Sequence, residues 1–279
     1  ALARTFADWT FSRRRLYREY VSVLDKDTRE WQSLHGKPLD LDRIYIQVMV
    51  TRAPSILARA DVRCADWRET WTSRRRQERM EPRQALIQFQ RLAVIGEPGA
   101  GKTTLLRYLA YLYAHGKAID PGQSEPSRRR WFGFLRRRGK DDSGHLEMGT
   151  GKHRSEGRGW LPGRRVPVFI PLKDLAVADI TDLASYLPTY FAAHNYPNAE
   201  RFVQEKLERG EFVFLFDALD EVDDSAKLPG VVDMVARFAR RYSNKQHPNW
   251  VVVTSRPQSY QSCVHRLNFQ VVEMLEFEP

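Results

Sequence analysis

Short apolar runs alternate with amphipathic segments over the last two thirds of this chain. Apolar residues at helical spacing predict a helix at 102–115 and another at 231–242. A helical region is also predicted after the apolar run 166–170, ending at residue 209. The apolar runs between them are predicted to be buried strands at 92–95, 166–170, 212–216, 250–254 and 269–272. Continuous apolar strands that alternate with helices are typical of a parallel sheet covered on both faces. The predicted fold class is therefore α/β, with a parallel five-stranded sheet flanked by helices.

The N-terminal part has a less regular pattern. Its first part mixes aromatic and basic residues and is predicted to be helical, residues 39–46 alternate like a short strand, and residues 66–90 are predicted to be helix. We expect residues 1–85 to form a mainly helical region that precedes an α/β domain at 86–279. Because the chain begins at Ala1 without Met and stops after an apolar run, we also expect it to be a fragment of a longer protein.

The stretch 117–165, named the basic segment below, interrupts the alternation of strands and helices. It holds 13 Lys and Arg residues against 6 Asp and Glu, and so supplies most of the formal net charge of +10. Gly, Ser, Pro and Arg dominate it, so we expect an exposed and largely disordered insertion. Residues 128–138 surround four apolar side chains with arginines, which suits contact with nucleic acid or an anionic membrane. The alternative is a solvated loop with one hydrophobic anchor.

The first motif with a chemical meaning lies between the strand 92–95 and the helix 102–115. It matches G-x-x-x-x-G-K-S/T, the pattern of a loop whose backbone N–H groups cradle phosphates at a helix N-terminus. We name it the glycine-rich loop: Gly96, Glu97, Pro98, Gly99, Ala100, Gly101, Lys102 and Thr103, with Thr104 as the next helical residue. Lys102 is predicted to reach the β- and γ-phosphates and Thr103 to ligate Mg²⁺. This motif predicts that the chain binds a nucleoside triphosphate with Mg²⁺.

A second motif is the apolar strand 212–216 followed by acidic residues. Asp217 ends the strand and is predicted to hold Mg²⁺ directly or through water, in a Walker B arrangement. Asp220 and Glu221 follow closely, and either could orient or deprotonate an attacking water. The alternative for either one is that it only caps the following helix.

The strand 250–254 would carry Thr254, Ser255 and Arg256 to the same edge of the sheet, where ligands bind in such folds. Arg256 could then sense the γ-phosphate, although a lone arginine after a strand is as often a surface residue. The guanine-recognition pattern N-K-x-D is absent, because Asn244-Lys245 lacks the Asp and precedes a strand. We interpret it as a turn, so adenine is the expected base.

Cysteine usage and hydropathy favour the cytoplasm. Cys64 and Cys263 form neither a metal-binding spacing nor a disulfide framework, which is typical of a reducing compartment. No apolar run approaches the length of a membrane span, and no signal-peptide pattern opens the chain.

Four ordered segments resemble a known family. They read GEPGAGKTT, VPVFIPLKDLA, FVFLFDALDEVDD and VVVTSRP, and together they look like the NACHT domain of the STAND class of signalling NTPases over roughly residues 86–275. The tiny Ala218 after the Walker B Asp, with the acidic pair behind it, is similar to the family pattern. The resemblance also implies a sensor 1 role for Arg256. This chain departs from the family pattern in two ways. The basic segment is longer than the family core needs, and the chain ends before the family's helical and winged-helix domains.

The resemblance implies a switch that binds ATP and ADP with Mg²⁺, hydrolyses ATP slowly, and self-associates on activation. Such proteins act in innate immunity, anti-phage defence and programmed cell death, with a trigger and an effector that this chain does not reveal. One alternative is an ATP-driven remodelling enzyme of the wider AAA+ type, which shares both Walker motifs. Another is a nucleic-acid- or membrane-binding module that acts through the basic segment.

Overall fold

A computed structural model of the chain describes residues 15–26, 50–52, 79–115, 165–178, 180–222, 226–261 and 264–275. The basic segment lies outside these residues except for Arg165, and so does the strand predicted at 39–46. Within the described ranges, no helix is long and apolar enough to cross a membrane.

Seven strands of the described residues form one sheet. They are β1 (Val50–Arg52), β2 (Arg79–Met80), β3 (Arg91–Ile95), β4 (Val166–Pro171), β5 (Phe212–Asp217), β6 (Trp250–Ser255) and β7 (Gln270–Met274). Their order across the sheet is β2-β1-β7-β3-β6-β5-β4. All pairs among β3 to β7 are parallel, which confirms the predicted five-stranded parallel sheet. The antiparallel β1 and β2, which extend the sheet beyond β7, were not predicted as a pair.

Helices flank this sheet. They are α1 (15–26), α2 (Pro82–Phe89), α3 (Lys102–Ala114), α4 (Leu172–Val177), α5 (Leu183–Ala193), α6 (Glu200–Arg209), α7 (Leu228–Tyr242), α8 (Pro257–Gln261) and α9 (Val264–Leu267). A 3₁₀ turn at Leu219–Glu221 follows β5.

The helical region predicted to end at residue 209 is divided into three helices. Asp182 begins α5 by accepting a hydrogen bond from the backbone N–H of Ser185 at 2.9 Å. Asn195 and Asn198, between α5 and α6, both adopt positive φ, a conformation that asparagine tolerates and that a continuous helix excludes. Gly210 then ends α6 in the left-handed conformation.

The centre of the sheet is buried on both faces. Every residue of β5 and β6 is buried, and since successive side chains point to opposite faces, helices or loops must cover both. On one face, the rings of Phe214 and Phe216 pack against Phe238 of α7, with centroids 4.7 and 6.5 Å away. The parallel pairing of β5 with β6 sets the carboxyl ends of the two strands side by side.

Tyrosine hydroxyl groups line the outer edge of β4. Tyr20 of α1 is fully buried and donates its hydroxyl to the carbonyl of Pro167, and Tyr190 of α5 both accepts from the N–H of Phe169 and donates to its carbonyl. The Tyr20 ring also packs 4.8 Å from Phe191. Helix α1 therefore belongs to the same core as the sheet. The division of the chain at residue 86 stays a prediction, although the sheet runs across it.

Candidate functional site

The glycine-rich loop joins β3 to α3 and depends on its glycines for two different reasons. Gly99 and Gly101 have φ of 81° and 88°, in the left-handed region that other residues rarely adopt. Gly96 has no such φ, but a Cβ there would lie 3.3 Å from the Cβ of Ala100 and 3.4 Å from that of Met274. Gly96 is therefore required for close packing and not for a left-handed backbone. The loop turns sharply into the N-terminus of α3.

The Lys102 ammonium folds back onto this loop. Its Nζ donates to the carbonyls of Gly96 at 2.8 Å and Glu97 at 3.0 Å. Partial burial lowers the pKa of Lys102, and Arg256 lowers it further, whereas the nearby carboxylate of Asp220 raises it. A positive charge is therefore held at the helix N-terminus within reach of charges from two other segments.

Asp217, at the end of β5, is a buried carboxylate with only 6% of its surface exposed. It accepts a hydrogen bond from the Thr254 hydroxyl at 2.7 Å, and Thr103 lines the same pocket. Burial raises the pKa of Asp217, and the hydroxyls of Thr254 and Thr103 oppose the shift. The predicted metal ligands Thr103 and Asp217 are thus brought into one pocket although they lie on different elements.

Thr254 links two strands through one hydroxyl. While donating to Asp217, its Oγ1 accepts the backbone N–H of Ala218 at 2.8 Å. Because this hydroxyl is buried and both of its bonds go to the end of β5, it fixes the direction of the Asp217 carboxylate. Thr254 is therefore a positioning residue for Asp217.

Directly after Asp217 the chain turns through a left-handed alanine. Ala218 has φ 57° and ψ 66° and precedes the 3₁₀ turn. A non-glycine residue in this conformation costs about 1 kcal/mol. The turn brings the Asp220 and Glu221 side chains back to the carboxyl edge of the sheet, where both line the same pocket as Asp217.

The two carboxylates of this turn have different partners. The Asp220 side chain is only 8% exposed and forms an ion pair with the Nε of Arg256 at 2.7 Å. The Glu221 side chain is 49% exposed and forms an ion pair with Lys173 at 2.9 Å. The hydrogen bond with Glu221 raises the pKa of Lys173, which stays protonated. Among the described carboxylates that line the pocket, Glu221 is the accessible one.

These residues surround an open pocket with a cavity volume of about 270 Å³. Its walls are formed by Pro98, Gly99, Gly101, Lys102, Thr103, Thr104, Asp217, Ala218, Asp220, Glu221, Thr254 and Arg256.

Most of the predicted site residues meet in this pocket, with some exceptions. Gly96, Glu97 and Ala100 support the loop without lining the cavity. Thr254 was expected at the sheet edge but not in contact with Asp217, and Lys173 was not predicted at all. For Thr254 the available signal was a hydroxyl residue that ends an apolar strand, whereas nothing in the spacing of Lys173 indicates a partner 48 residues away.

The oxygen atoms of Thr103 and Asp217 are of the kind that Mg²⁺ prefers. Among the described residues, no three His, Cys, Asp or Glu side chains cluster as a metal site of their own. Mg²⁺ usually takes only one or two carboxylates and completes its shell with waters and substrate phosphates. The residues present therefore fit a Mg²⁺ ion that is bound together with a phosphate ligand.

Neither a protein-family model nor a curated protein matches this sequence. What the pocket can bind therefore has to follow from the residues that line it. An ammonium, a guanidinium and a helix N-terminus together favour an anion, and Asp217 with Thr103 favours a cation beside it.

Proposed function

We propose that this chain binds ATP and ADP with Mg²⁺ in the pocket at the carboxyl edge of its sheet. The observation that supports this most strongly is the position of Thr103, in the first turn of α3, and Asp217, at the end of β5, on the wall of the same pocket. Two residues predicted from separate motifs as magnesium ligands are thus brought together at the glycine-rich loop. The fold we propose is accordingly that of a P-loop NTPase, with adenine as the base because the guanine motif is lacking.

The proposed chemistry assigns a separate task to each side chain. Lys102 leaves the loop carbonyls to bind the β- and γ-phosphates. Thr103 and Asp217 would hold Mg²⁺, which would supply positive charge against the phosphate oxygens. Glu221 orients the attacking water and accepts its proton, since its carboxylate is accessible in the pocket. Lys173 holds that carboxylate through an exposed ion pair.

The biological role we propose is a nucleotide-controlled switch of the NACHT type in the STAND class, with slow hydrolysis and self-association on activation. It is supported by the four ordered motifs and by the pairing of Arg256 with Asp220, which leaves a phosphate-sensing group already engaged within the protein. Rapid turnover of ATP over many cycles, without any nucleotide-dependent change in assembly measured by light scattering, would contradict the switch.

The direct test of the binding site is Lys102→Ala, measured by calorimetry with Mg·ADP and with a Mg-bound non-hydrolysable ATP analogue. The loss of charged hydrogen bonds to phosphate should raise both dissociation constants by about a hundredfold or more. The melting temperature should stay within about 2 °C of wild type, because the ammonium lies outside the hydrophobic core.

A matched control is Lys227→Ala, which removes another lysine that donates to a main-chain carbonyl, that of Ala176, outside the pocket. Nucleotide affinity should not change in this variant. Equal losses in the two variants, or none in Lys102→Ala, would contradict the assignment of the pocket.

A further inference from the structure

Asp220 and Arg256 are joined at two points although they belong to different segments. The Oδ2 of Asp220 forms an ion pair with the guanidinium Nε of Arg256 at 2.7 Å. Its Oδ1 accepts a hydrogen bond from the backbone N–H of Arg256 at 3.2 Å. The carboxylate therefore holds both the side chain and the main chain of Arg256 at the point where β6 leads into α8.

The two members of this pair differ in exposure. The Asp220 side chain is 8% exposed and the Arg256 side chain 54%. If Arg256 turned to another anion, Asp220 would be left as an almost buried carboxylate without its cation, which is unfavourable. Departure of the arginine is thus opposed more strongly than in an ordinary surface pair.

The pair lies in the pocket proposed for the phosphate chain. Both residues line the pocket together with Lys102, and both charges act on the Lys102 ammonium. A phosphate group is a strong acceptor for guanidinium and could replace the carboxylate. The neighbouring Glu221 is itself paired with Lys173, so the nearest other carboxylate in the turn already has a cation of its own.

We propose that Asp220 sets the preference of the pocket between nucleoside di- and triphosphates by competing with the terminal phosphate for Arg256. This inference rests on the proposed function. A bound diphosphate leaves the Asp220–Arg256 pair intact, whereas a triphosphate gains Arg256 only by separating it from Asp220. Because a ligand shifts an equilibrium only through its different interaction with the two states, this competition favours the diphosphate form. Asp220 is then a specificity-determining residue and not the base of hydrolysis.

The test compares dissociation constants for Mg·ADP and Mg·adenylyl imidodiphosphate in wild type, Asp220→Asn, Arg256→Gln and the double variant, by calorimetry. In Asp220→Asn the ratio of the ADP constant to the triphosphate constant should rise about tenfold, because Arg256 is released to the terminal phosphate. In the Arg256→Gln background, Asp220→Asn should change this ratio by less than about twofold, because no guanidinium remains to be released.

Asp233→Asn is the matched control. It breaks the ion pair of Asp233 with Arg266, 3.1 Å apart, and changes the net charge equally, but these residues do not line the pocket. Its ratio should equal that of wild type. If Asp220→Asn does not fold, as judged by its thermal transition, Asp220→Ser provides a second neutral variant with the same expectation.

An unchanged or lowered ratio in the neutral Asp220 variant would overturn the inference. An equal rise in both Arg256 backgrounds would do the same, because it would show simple charge repulsion between Asp220 and phosphate. If the wild-type chain binds neither nucleotide, the proposed function itself fails. If binding depends on Lys102 but the ratio is insensitive to Asp220, only the role of Asp220 is wrong.

Discussion

At the amino ends of β5 and β6, Asn249 is fully buried and its polar atoms all bond to the main chain. Its Oδ1 accepts the N–H of Phe212 at 3.0 Å, and its Nδ2 donates to the carbonyls of Leu207 at 2.8 Å and Tyr242 at 2.6 Å. At the carboxyl ends of the same two strands, Asp217 is nearly as buried but carries an acidic group whose ionised form is disfavoured by that burial.

This difference shows how one sheet combines a stable end with a reactive end. The amide of Asn249 is neutral and satisfied, so it stabilises the junction of two strands and two helices. The carboxyl end instead holds a buried acid, a left-handed alanine and cations that are paired with exchangeable partners. Groups of the second kind reduce stability but can rearrange around a ligand.

The largest effect on the free energy of unfolding should come from Asn249→Ala at the amino ends of β5 and β6. It would remove three hydrogen bonds to the main chain, of which those with Phe212 and Leu207 are buried, and each such loss costs about 1–3 kcal/mol. The free energy of unfolding, from urea denaturation, should therefore fall by about 3 kcal/mol or more.

Asn244→Ala is the matched control. Its side chain also makes several main-chain hydrogen bonds, to Arg240, Arg241, Gln246 and His247, but water can replace them. We expect a loss of about 1 kcal/mol or less. If the two variants were equally destabilised, burial would not be what distinguishes the amino end.

At the carboxyl end, Asp217→Asn should weaken binding and strengthen the fold. Affinity for the Mg-bound triphosphate should fall by about tenfold or more, since a charged magnesium ligand is lost. At neutral pH the melting temperature should rise, because the introduced amide is neutral. Burial disfavours the ionised carboxylate of Asp217, as its raised pKa indicates. A variant less stable than wild type at pH 7 would contradict this description of the carboxyl end.

The pH dependence of the stability gained in Asp217→Asn follows from the direction in which the pKa of Asp217 is shifted. A pKa raised in the folded state gives stability that is complete below the unfolded pKa and is lost as the pH rises through the folded pKa. Asp217 should therefore lower wild-type stability progressively above about pH 4. The advantage of Asp217→Asn in thermal denaturation should be small near pH 4, grow with pH, and level off above the folded pKa.

The smallest effect is expected for Ala218→Gly. Glycine adopts the left-handed conformation without strain, and this gain exceeds its greater entropy in the unfolded chain by about 0.5 kcal/mol. The N–H that bonds to Thr254 is retained. In contrast, Ala236→Gly in the buried interior of α7 should cost about 1 kcal/mol, as glycine does in a helix. Urea denaturation of both variants would reveal whether the two changes have opposite signs.

The sequence predicts the parallel sheet well because its apolar runs are long and regularly spaced. The five strands and the helices α3 and α7 were predicted to within a few residues. Strands β1 and β2 were not, since three and two residues are too few to show a periodicity. The place of β1 depends on pairing with β7, whose partner residues lie at least 220 positions later in the chain, and β2 joins the sheet through β1.

Within the candidate site, the glycine-rich loop and Asp217 could be identified because their spacing is local. Partners across the sheet could not, because nothing in a linear pattern pairs Asp220 with Arg256, or Thr254 with the N–H of Ala218. Alanine also gives no sign of positive φ, which glycine or asparagine would have signalled. Asp220 and Glu221 were therefore equivalent in sequence and became different only through their partners.

The tyrosine-lined edge of β4 has a practical consequence for where the domain can be cut. Residues 167 and 171 are prolines, which have no N–H, and the N–H of Phe169 is bonded to Tyr190, so this edge offers few donors to an incoming strand. The carbonyl of Pro167 is covered only by Tyr20 of α1 among the bonds that the structure describes. A protein shortened to begin just before the glycine-rich loop would lose that cover and bare the aromatic surface beneath it, so soluble preparations should keep the segment that contains α1.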